Sequence, residues 1–508
     1  MQIYSTGLER NTTWKKMLEI LLILLVIVLF VYNATSKSRN LPPGPKPIYP
    51  IIGNLPAVAG KDILLTFREM RTKYGDIFSL YFGHQLMIVI NGYETIKNVL
   101  VKHGALFSER PHNFLSNEMC QGRGLIFSTG KIWKDQRRFS TSAFQELGFG
   151  KLSFEEAIKT EVLKVLEFFE EKHECPVDIK ECIFASITNI IFNIVMGKRY
   201  NYDDPTFHEF LVKMVETSQL VGNASILVNC FPFLRYCPFD PLKKKIALQN
   251  RDKILSFFKD TYEEHRKTYN REYIRDFVDL YIREIEKNAE EGTESTFSED
   301  MLNSVIGDLF GAGGETSTTA VCWAFLYLVR HPEVQARIRE EVDNIVGPNK
   351  IPSYSDRHKL PFLEATILEV LRLGDVVPLA IPHAVPNNVV YSGYTIPKDS
   401  SILINLNSIS HDPVLFNNPT HFKPERFLDS SGTIKNVTEF IPFSMGRRRC
   451  IGSTVARMEL FLFISAVLSK FELIPPEGQP PPDPVGTLGI TNMPRPFQLR
   501  AVFRRNSS

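Results

Sequence analysis

Phe443-Ser444-Met445-Gly446-Arg447-Arg448-Arg449-Cys450-Ile451-Gly452 is the stretch on which the reading of this chain turns. One cysteine follows three consecutive arginines. A thiol near fixed positive charge and amide donors is drawn toward the thiolate, the form that ligates metals. Glycine carries no Cβ, so Gly446 and Gly452 let the backbone approach a flat group closely. Phe443 can keep water from the sulfur and tune its donor strength. Arg448 offers a planar fork to a carboxylate. Most lone cysteines are simply small buried hydrophobes. Here the pattern F-x-x-G-x-R-x-C-x-G fixes five positions together, which chance would place in such a chain about once in several thousand tries. The stretch therefore reads as the loop of a buried sulfur ligand, Cys450.

The rest of the sequence is that of a large globular protein. It has 508 residues, 44% hydrophobic and 23% charged, enough to bury a sizeable core. A net charge of +2 argues against strong overall steering toward nucleic acid, so any basic partner surface is local. The cysteines number seven, an odd count with no CxxC pair, which makes a poor disulfide framework or zinc site and fits a reducing compartment. Upstream of the cysteine loop, 389–405 alternates around Gly393 like strand, and 77–91 reads as a hairpin about Gly83-His84. Helical periodicity runs through 152–169 and 252–285, and 287–294 is a charged, solvated connection. Residues 301–331 form a long helix, apolar on most faces and stopped by Pro332, so it should cross the core. Proline-rich loop covers 475–484, and no internal repeat is present. The expected architecture is mainly α with small β-sheets.

At the N-terminus, 20–32 is an unbroken apolar run flanked by Arg10, Lys15 and Lys16 before it and Lys37, Arg39 and Lys46 after it. No convincing small-x-small cleavage site precedes Lys37, so an uncleaved anchor is favoured over a cleaved signal peptide. Leu41-Pro42-Pro43-Gly44-Pro45 follows as a stiff extended spacer. The chain is expected to divide into tail and membrane anchor at 1–36, linker at 37–47 and a single large catalytic domain at 48–508. Asn11-Thr12-Thr13 is a glycosylation sequon that would matter only if the tail were luminal.

The cysteine loop resembles that of the cytochrome P450 superfamily, and the likeness extends over nearly the whole chain from Leu41 onward, closest to the microsomal branch that oxidises drugs, steroids and fatty acids. The resemblance implies the cytochrome P450 fold and haem b (iron protoporphyrin IX), with Cys450 as the axial ligand to iron. Phe443, Gly446, Arg448 and Gly452 then belong to the haem site. Trp133 and Arg137, four apart in Trp133-Lys134-Asp135-Gln136-Arg137, together with Arg110 and His383, match the family's propionate contacts. Glu369 and Arg372, followed by Pro424-Glu425-Arg426-Phe427, look like its buried Glu-Arg-Arg network. Ser453 departs from the branch, which often has glutamate there.

Ala312-Gly313-Gly314-Glu315-Thr316-Ser317 sits midway along the long helix and resembles the family's oxygen-activation motif. Two glycines and a carboxylate are locally unfavourable in a helix. The resemblance implies a turn opened for O2, with Glu315 and Thr316 relaying protons. Substrate contacts are implied in 112–127, 210–220, 310–312, 376–381 and 488–493, with Phe114, Leu115, Phe310, Ala312, Val377, Ile381 and Leu488 as pocket residues. Residues 231–239 are aromatic and proline-interrupted, and would dip into the bilayer near an entrance.

The chain carries no Gly-rich dinucleotide fingerprint, so electrons must come from outside. Lys131, Lys134, Arg138, Arg447 and Arg449 would form a basic docking face for an NADPH-dependent flavoprotein reductase, with a cytochrome b-type protein as a further donor. The implied setting is the endoplasmic reticulum membrane, with a single N-terminal anchor and a cytosolic catalytic body. The activity implied is a monooxygenase acting on a small lipophilic substrate. Two alternatives remain: a haem-thiolate peroxide isomerase or dehydratase, and a non-catalytic haem protein that binds a lipophile. The Glu315-Thr316 pair favours the first reading, because peroxide rearrangement needs no such relay.

Overall fold

The computed structural model describes residues 5–35, 40–148, 152–237, 239–240, 242–292, 294–398 and 400–504. It is mainly helical with small sheets at the edge, as expected. The helices that matter here are α1 (Ser5–Thr35), α2 (Gly130–Glu146), α3 (Lys180–Met196), α4 (Pro205–Cys230), α5 (Lys244–Thr268), α6 (Glu299–Arg330), α7 (Pro361–Gly374) and α8 (Ser453–Lys470).

The long helix α6 is organised as its sequence dictates. Ser298 caps it by accepting the Met301 amide at 3.2 Å, and Glu299 and Asp300 lie in its first turn, where acidic groups favour the helix dipole. It ends ahead of Pro332. Residues 317–329 are all buried, as an all-round apolar surface requires. α3, α6 and α8 share one hydrophobic cluster that includes Ile187, Val321, Phe325, Leu462 and Ile464. Each such side chain contributes ~1.5–3 kcal/mol of transfer free energy, opposed by conformational entropy of similar total size.

Strands β1 (Ile77–Phe82) and β2 (Gln85–Ile90) pair antiparallel around Gly83-His84, from Ile77↔Ile90 to Phe82↔Gln85. β3 (Ser401–Ile404) joins β2 in parallel. Before it, Val389–Tyr391 and Tyr394–Ile396 form the ribbon expected around Gly393. Phe471–Ile474 pairs with Arg500–Phe503, and a further ribbon, β4 (Gly486–Leu488) with β5 (Asn492–Pro494), lies against α6 and brings the C-terminal region to the site. The stretch 252–285, expected as continuous helix, is two helices. α5 ends at Thr268, Tyr273 turns back to donate to the Asn270 carbonyl at 3.0 Å, and Asp276 caps a new helix, Phe277–Glu290. That second helix also claims 287–290, the first half of 287–294.

The proline-rich segment is docked on the sheet. The Ser79 amide donates to the Pro43 carbonyl at 2.8 Å and its hydroxyl to the Pro42 carbonyl at 2.6 Å. A Cβ on Gly44 would stand 1.8 Å from the Ser79 carbonyl oxygen, so only glycine fits there. α1 exposes Ile20, Leu24, Ile27 and Val31. Among the described residues no helix is long and apolar enough to cross a membrane. The uninterrupted apolar run at 20–32 reaches about 20 Å at helical rise, short of a hydrocarbon core of about 30 Å.

Candidate active site

Cys450 lies on the loop just ahead of α8. Its amide donates to the Phe443 carbonyl at 3.0 Å, closing the loop, and the Gly452 amide donates to its sulfur. The two loop glycines do different work. A Cβ on Gly446, at φ +75, would stand 2.1 Å from the Leu100 carbonyl oxygen. Gly446 thus seats the loop on the segment at Leu100 and does not face the cavity, contrary to the expected approach to a flat cofactor. At Gly452 an added Cβ would meet only the Cys450 sulfur, 4.0 Å away, so there is room beside the sulfur.

Cys450 is exposed, but to an internal cavity of about 1110 Å³ whose wall includes Phe443, Gly452 and α6. Burial pushes the thiol pKa up, while the Gly452 amide and Arg137 pull it down. The arginines were expected to prevail. They do not, because Arg447 and Arg449 are exposed and water screens them. A bound metal cation would deprotonate the sulfur outright.

Beside the sulfur stands a group of buried donors. Arg110 gives its hydrogen bonds to the carbonyls of Ile126, Ile381 and Pro382 at 3.0, 2.8 and 2.7 Å. Arg448 reaches the Ser108 and Ser128 carbonyls at 2.9 and 2.7 Å and lies over the Trp133 ring, 4.0 Å from its centroid. Burial lowers the Arg110 pKa to about 9; burial, then Arg110, lowers that of Arg448 to about 8. Among the described residues neither makes an ion pair with a carboxylate. Trp133 Nε1 is buried without a hydrogen-bond partner. His383 donates from Nδ1 to the Phe107 carbonyl at 2.6 Å, and burial, then Arg110, lowers its pKa to about 3. A neutral ring used in this way presents a lone pair at Nε2, so it donates to an anion only when protonated. Arg137 donates to the Arg449 carbonyl at 2.5 Å and lies nearer the sulfur. Two uncompensated guanidinium groups, an orphaned indole N–H and a sulfur on one cavity wall fit an anionic, flat metal cofactor. Uncompensated buried charge of one sign is costly.

α6 also lines the cavity, and it is continuous through the motif without the opened turn expected there. Glycine serves packing at two positions: a Cβ on Gly313 would lie 3.0 Å from Ile191, and one on Gly314 would lie 3.3 Å from Phe184, both on α3. Gly311 and Ala312 face the cavity. The Thr316 hydroxyl donates to the Ala312 carbonyl at 2.6 Å. Glu315 accepts from Ser218 and, at 2.7 Å, from Thr491.

Of the expected pocket residues, Phe310, Ala312, Val377, Ile381 and Leu488 line the cavity. Phe114 does not: it is fully buried against Val228, its ring consumed by local packing. The side chain of Leu115 lies outside the described residues. Two carboxyls were missed. Asp308 accepts the Leu125 and Ile126 amides at 2.5 and 2.8 Å, and burial raises it to about 6. Glu459, on α8, accepts from Ser317 at 2.6 Å, and burial raises it to about 8. Asp308 precedes Glu315 by two helical turns, and Glu459 interrupts an apolar run; both signals were present in the sequence.

Behind the site, Arg372 donates to Glu369 at 2.7 and 2.8 Å, Arg426 adds a contact at 2.9 Å, and Arg372 also reaches the Ser410 carbonyl at 2.8 Å. The network ties α7 to the chain leading into the cysteine loop. On the sulfur side, Lys131, Lys134, Arg138, Arg447 and Arg449 are exposed, with Asp135 shared by Lys131 and Arg138.

Fold and site define a haem-thiolate protein. The family model described as Cytochrome P450 matches residues 42–501, and the chain belongs to that family. It is similar to cytochrome P450 2U1 of Homo sapiens, 36% identical over 500 residues covering 92% of this chain and 90% of that protein. Likeness to cytochrome P450 2C3 of Oryctolagus cuniculus is 34% over 476 residues, 93% and 96% of the two chains. For cytochrome P450 18a1 of Drosophila melanogaster it is 35% over 494 residues, 94% and 90%. The chain is a haem-thiolate monooxygenase with haem b as its cofactor.

Proposed function

We propose that the chain hydroxylates a small lipophilic molecule (a steroid, fatty acid or xenobiotic) held between Cys450 and α6. The observation that carries this is the cavity itself, whose wall joins the sulfur to Phe310, Ala312, Val377, Ile381 and Leu488. Such apolar lining selects ligands by burial of apolar area. Bound haem supplies the activation of dioxygen and the insertion of one oxygen atom, helped by its thiolate ligand. Arg110, Arg448 and Trp133 Nε1 would hold its propionates, and Cys450 its iron. Apolar residues around the substrate exclude water, and Glu315 and Thr316 handle protons at the α6 wall.

The basic face around Lys134, Arg447 and Arg449 would dock an NADPH-dependent flavoprotein reductase, with a cytochrome b-type donor at the same face. α1 would attach the protein to the endoplasmic reticulum membrane with its catalytic body in the cytosol. The strongly exposed Phe233, Tyr236 and Phe239 would rest in the bilayer surface, as aromatic side chains do. Glu315 and Thr316 favour oxygen activation over peroxide rearrangement. The test is a titration of the haem-loaded ferric protein with steroids, fatty acids and aromatic drugs, read in the Soret band, followed by turnover with reductase and NADPH. Oxygenated product that requires both is expected. A peroxide substrate converted without either would overturn the proposal.

A further inference from the structure

Both oxygens of Glu315 are engaged. Ser218 Oγ, on α4, donates to Oε2. Thr491 Oγ1, in the turn between β4 and β5, donates to Oε1 at 2.7 Å. Thr316 is the next residue, yet its hydroxyl is committed to the Ala312 carbonyl at 2.6 Å. The acid and the hydroxyl that would handle protons therefore do not touch each other here.

The two donors are held with unequal firmness. Thr491 is buried and precedes Asn492, which is anchored three ways. The Asn492 amide donates to the Val376 carbonyl at 2.9 Å, and its side chain to the Gly374 carbonyl at 3.0 Å. Its carbonyl accepts from Trp323 Nε1 at 2.7 Å. Ser218 is half-buried, midway along α4. Met214, Val215, Val221 and Gly222 of the same helix also line the cavity. Both hydroxyl-bearing residues line the cavity, so an entering molecule meets both; Thr491 is braced from behind by the Asn492 contacts, while Ser218 moves with α4.

We propose that Ser218 and Thr491 are positioning residues for Glu315, Thr491 as the fixed anchor and Ser218 as the releasable one. A substrate that displaces α4 then withdraws the Ser218 hydroxyl and frees the carboxylate to turn toward Thr316. Proton handling is thereby tied to occupancy of the cavity. This rests on the reading of Glu315 and Thr316 as the proton-handling pair, and the test separates the two.

The test uses the full-length haem-loaded protein with its reductase and no substrate, as wild type, Ser218→Ala, Ser218→Thr and Glu315→Gln. One readout is amide hydrogen exchange across 214–222, which does not depend on turnover. The other is substrate-free NADPH oxidation, in which two electrons from NADPH and two protons reduce dioxygen to hydrogen peroxide. Ser218→Ala should raise both by about two- to tenfold, the equivalent of one net hydrogen bond, and Ser218→Thr should restore both. Glu315→Gln should raise exchange in 214–222 without raising NADPH oxidation, because the latch is lost together with the acid. Wild-type exchange in Ser218→Ala would overturn the proposal. If exchange rises but NADPH oxidation does not, the carboxylate merely holds α4 and the proposal falls, whereas NADPH oxidation that rises in Glu315→Gln as much as in Ser218→Ala would overturn the proton-handling reading itself. A wild type that consumes no NADPH while exchange behaves as described would instead remove the oxidase chemistry and leave the latch.

Discussion

Replacing Glu369 with alanine should cost a large share of the margin by which this fold is stable. Glu369 and Arg372 are fully inaccessible to solvent, and Arg426 nearly so. Glu369 accepts from Arg372, from Arg426 and, at 2.8 Å, from the Lys423 amide. Without it the Arg372 guanidinium stays buried with carbonyl partners but no counter-charge. Breaking a buried pair in this way costs ~3–5 kcal/mol, against a typical total of ~5–15 kcal/mol. At about 1.4 kcal/mol per decade, the folded-to-unfolded ratio falls by roughly a hundred- to several thousandfold. Arg271–Glu290 is the control, an ion pair with the same 2.8 Å contact but with both side chains more than half exposed. Glu290→Ala should cost under ~1 kcal/mol. The assay is urea unfolding of the haem-loaded proteins, followed by far-ultraviolet circular dichroism. Equal losses for the two variants would refute the argument that burial makes the network strong.

Thr316→Ala should lower product formed per NADPH consumed by about tenfold or more, with peroxide making up the difference. The Soret-derived dissociation constant should stay within about twofold, since the hydroxyl bonds its own helix and does not build the pocket. Gly446→Ala should reduce the fraction of protein that forms a thiolate-type haem spectrum, because its Cβ would overlap the Leu100 carbonyl at 2.1 Å. Glu459 adds a pH dependence. Burial raises its pKa from the usual 4.5 to about 8, so its favourable contribution is complete below the lower value and is lost as pH rises through the higher. Urea titrations from pH 5 to 8 should show wild type losing stability relative to Glu459→Gln by up to ~1.4 kcal/mol per pH unit. A constant difference would show that the carboxyl is not held neutral.

The cysteine loop was legible because its chemistry confines residue types to fixed spacing over ten consecutive positions. The core helix 301–331 was legible because an all-round apolar surface has only one place to go. The Glu369–Arg372–Arg426 network could be read only through resemblance, since Arg426 is 57 residues from Glu369. Periodicity merged α5 with the helix after it, because a local turn at Asn270 and an Asp276 cap outweigh a continuing apolar pattern. Phe114 was assigned to the pocket by segment, but the ring's direction is decided by Val228, far away in the chain. Gly446 looked like a cofactor contact and proved to be a backbone crossing at Leu100. Ser218 and Thr491 lie 97 and 176 residues from Glu315, and isolated hydroxyls carry no period by which to find them.

The most direct test of the account is the spectrum of the reduced, carbon monoxide-treated protein before and after Cys450→Ser. Wild type should show the red-shifted Soret band of thiolate ligation, and the variant should lose it while keeping its far-ultraviolet circular dichroism. A thiolate-type band that survived Cys450→Ser would contradict the assignment of Cys450 as the iron's ligand, and with it the orientation of the whole site.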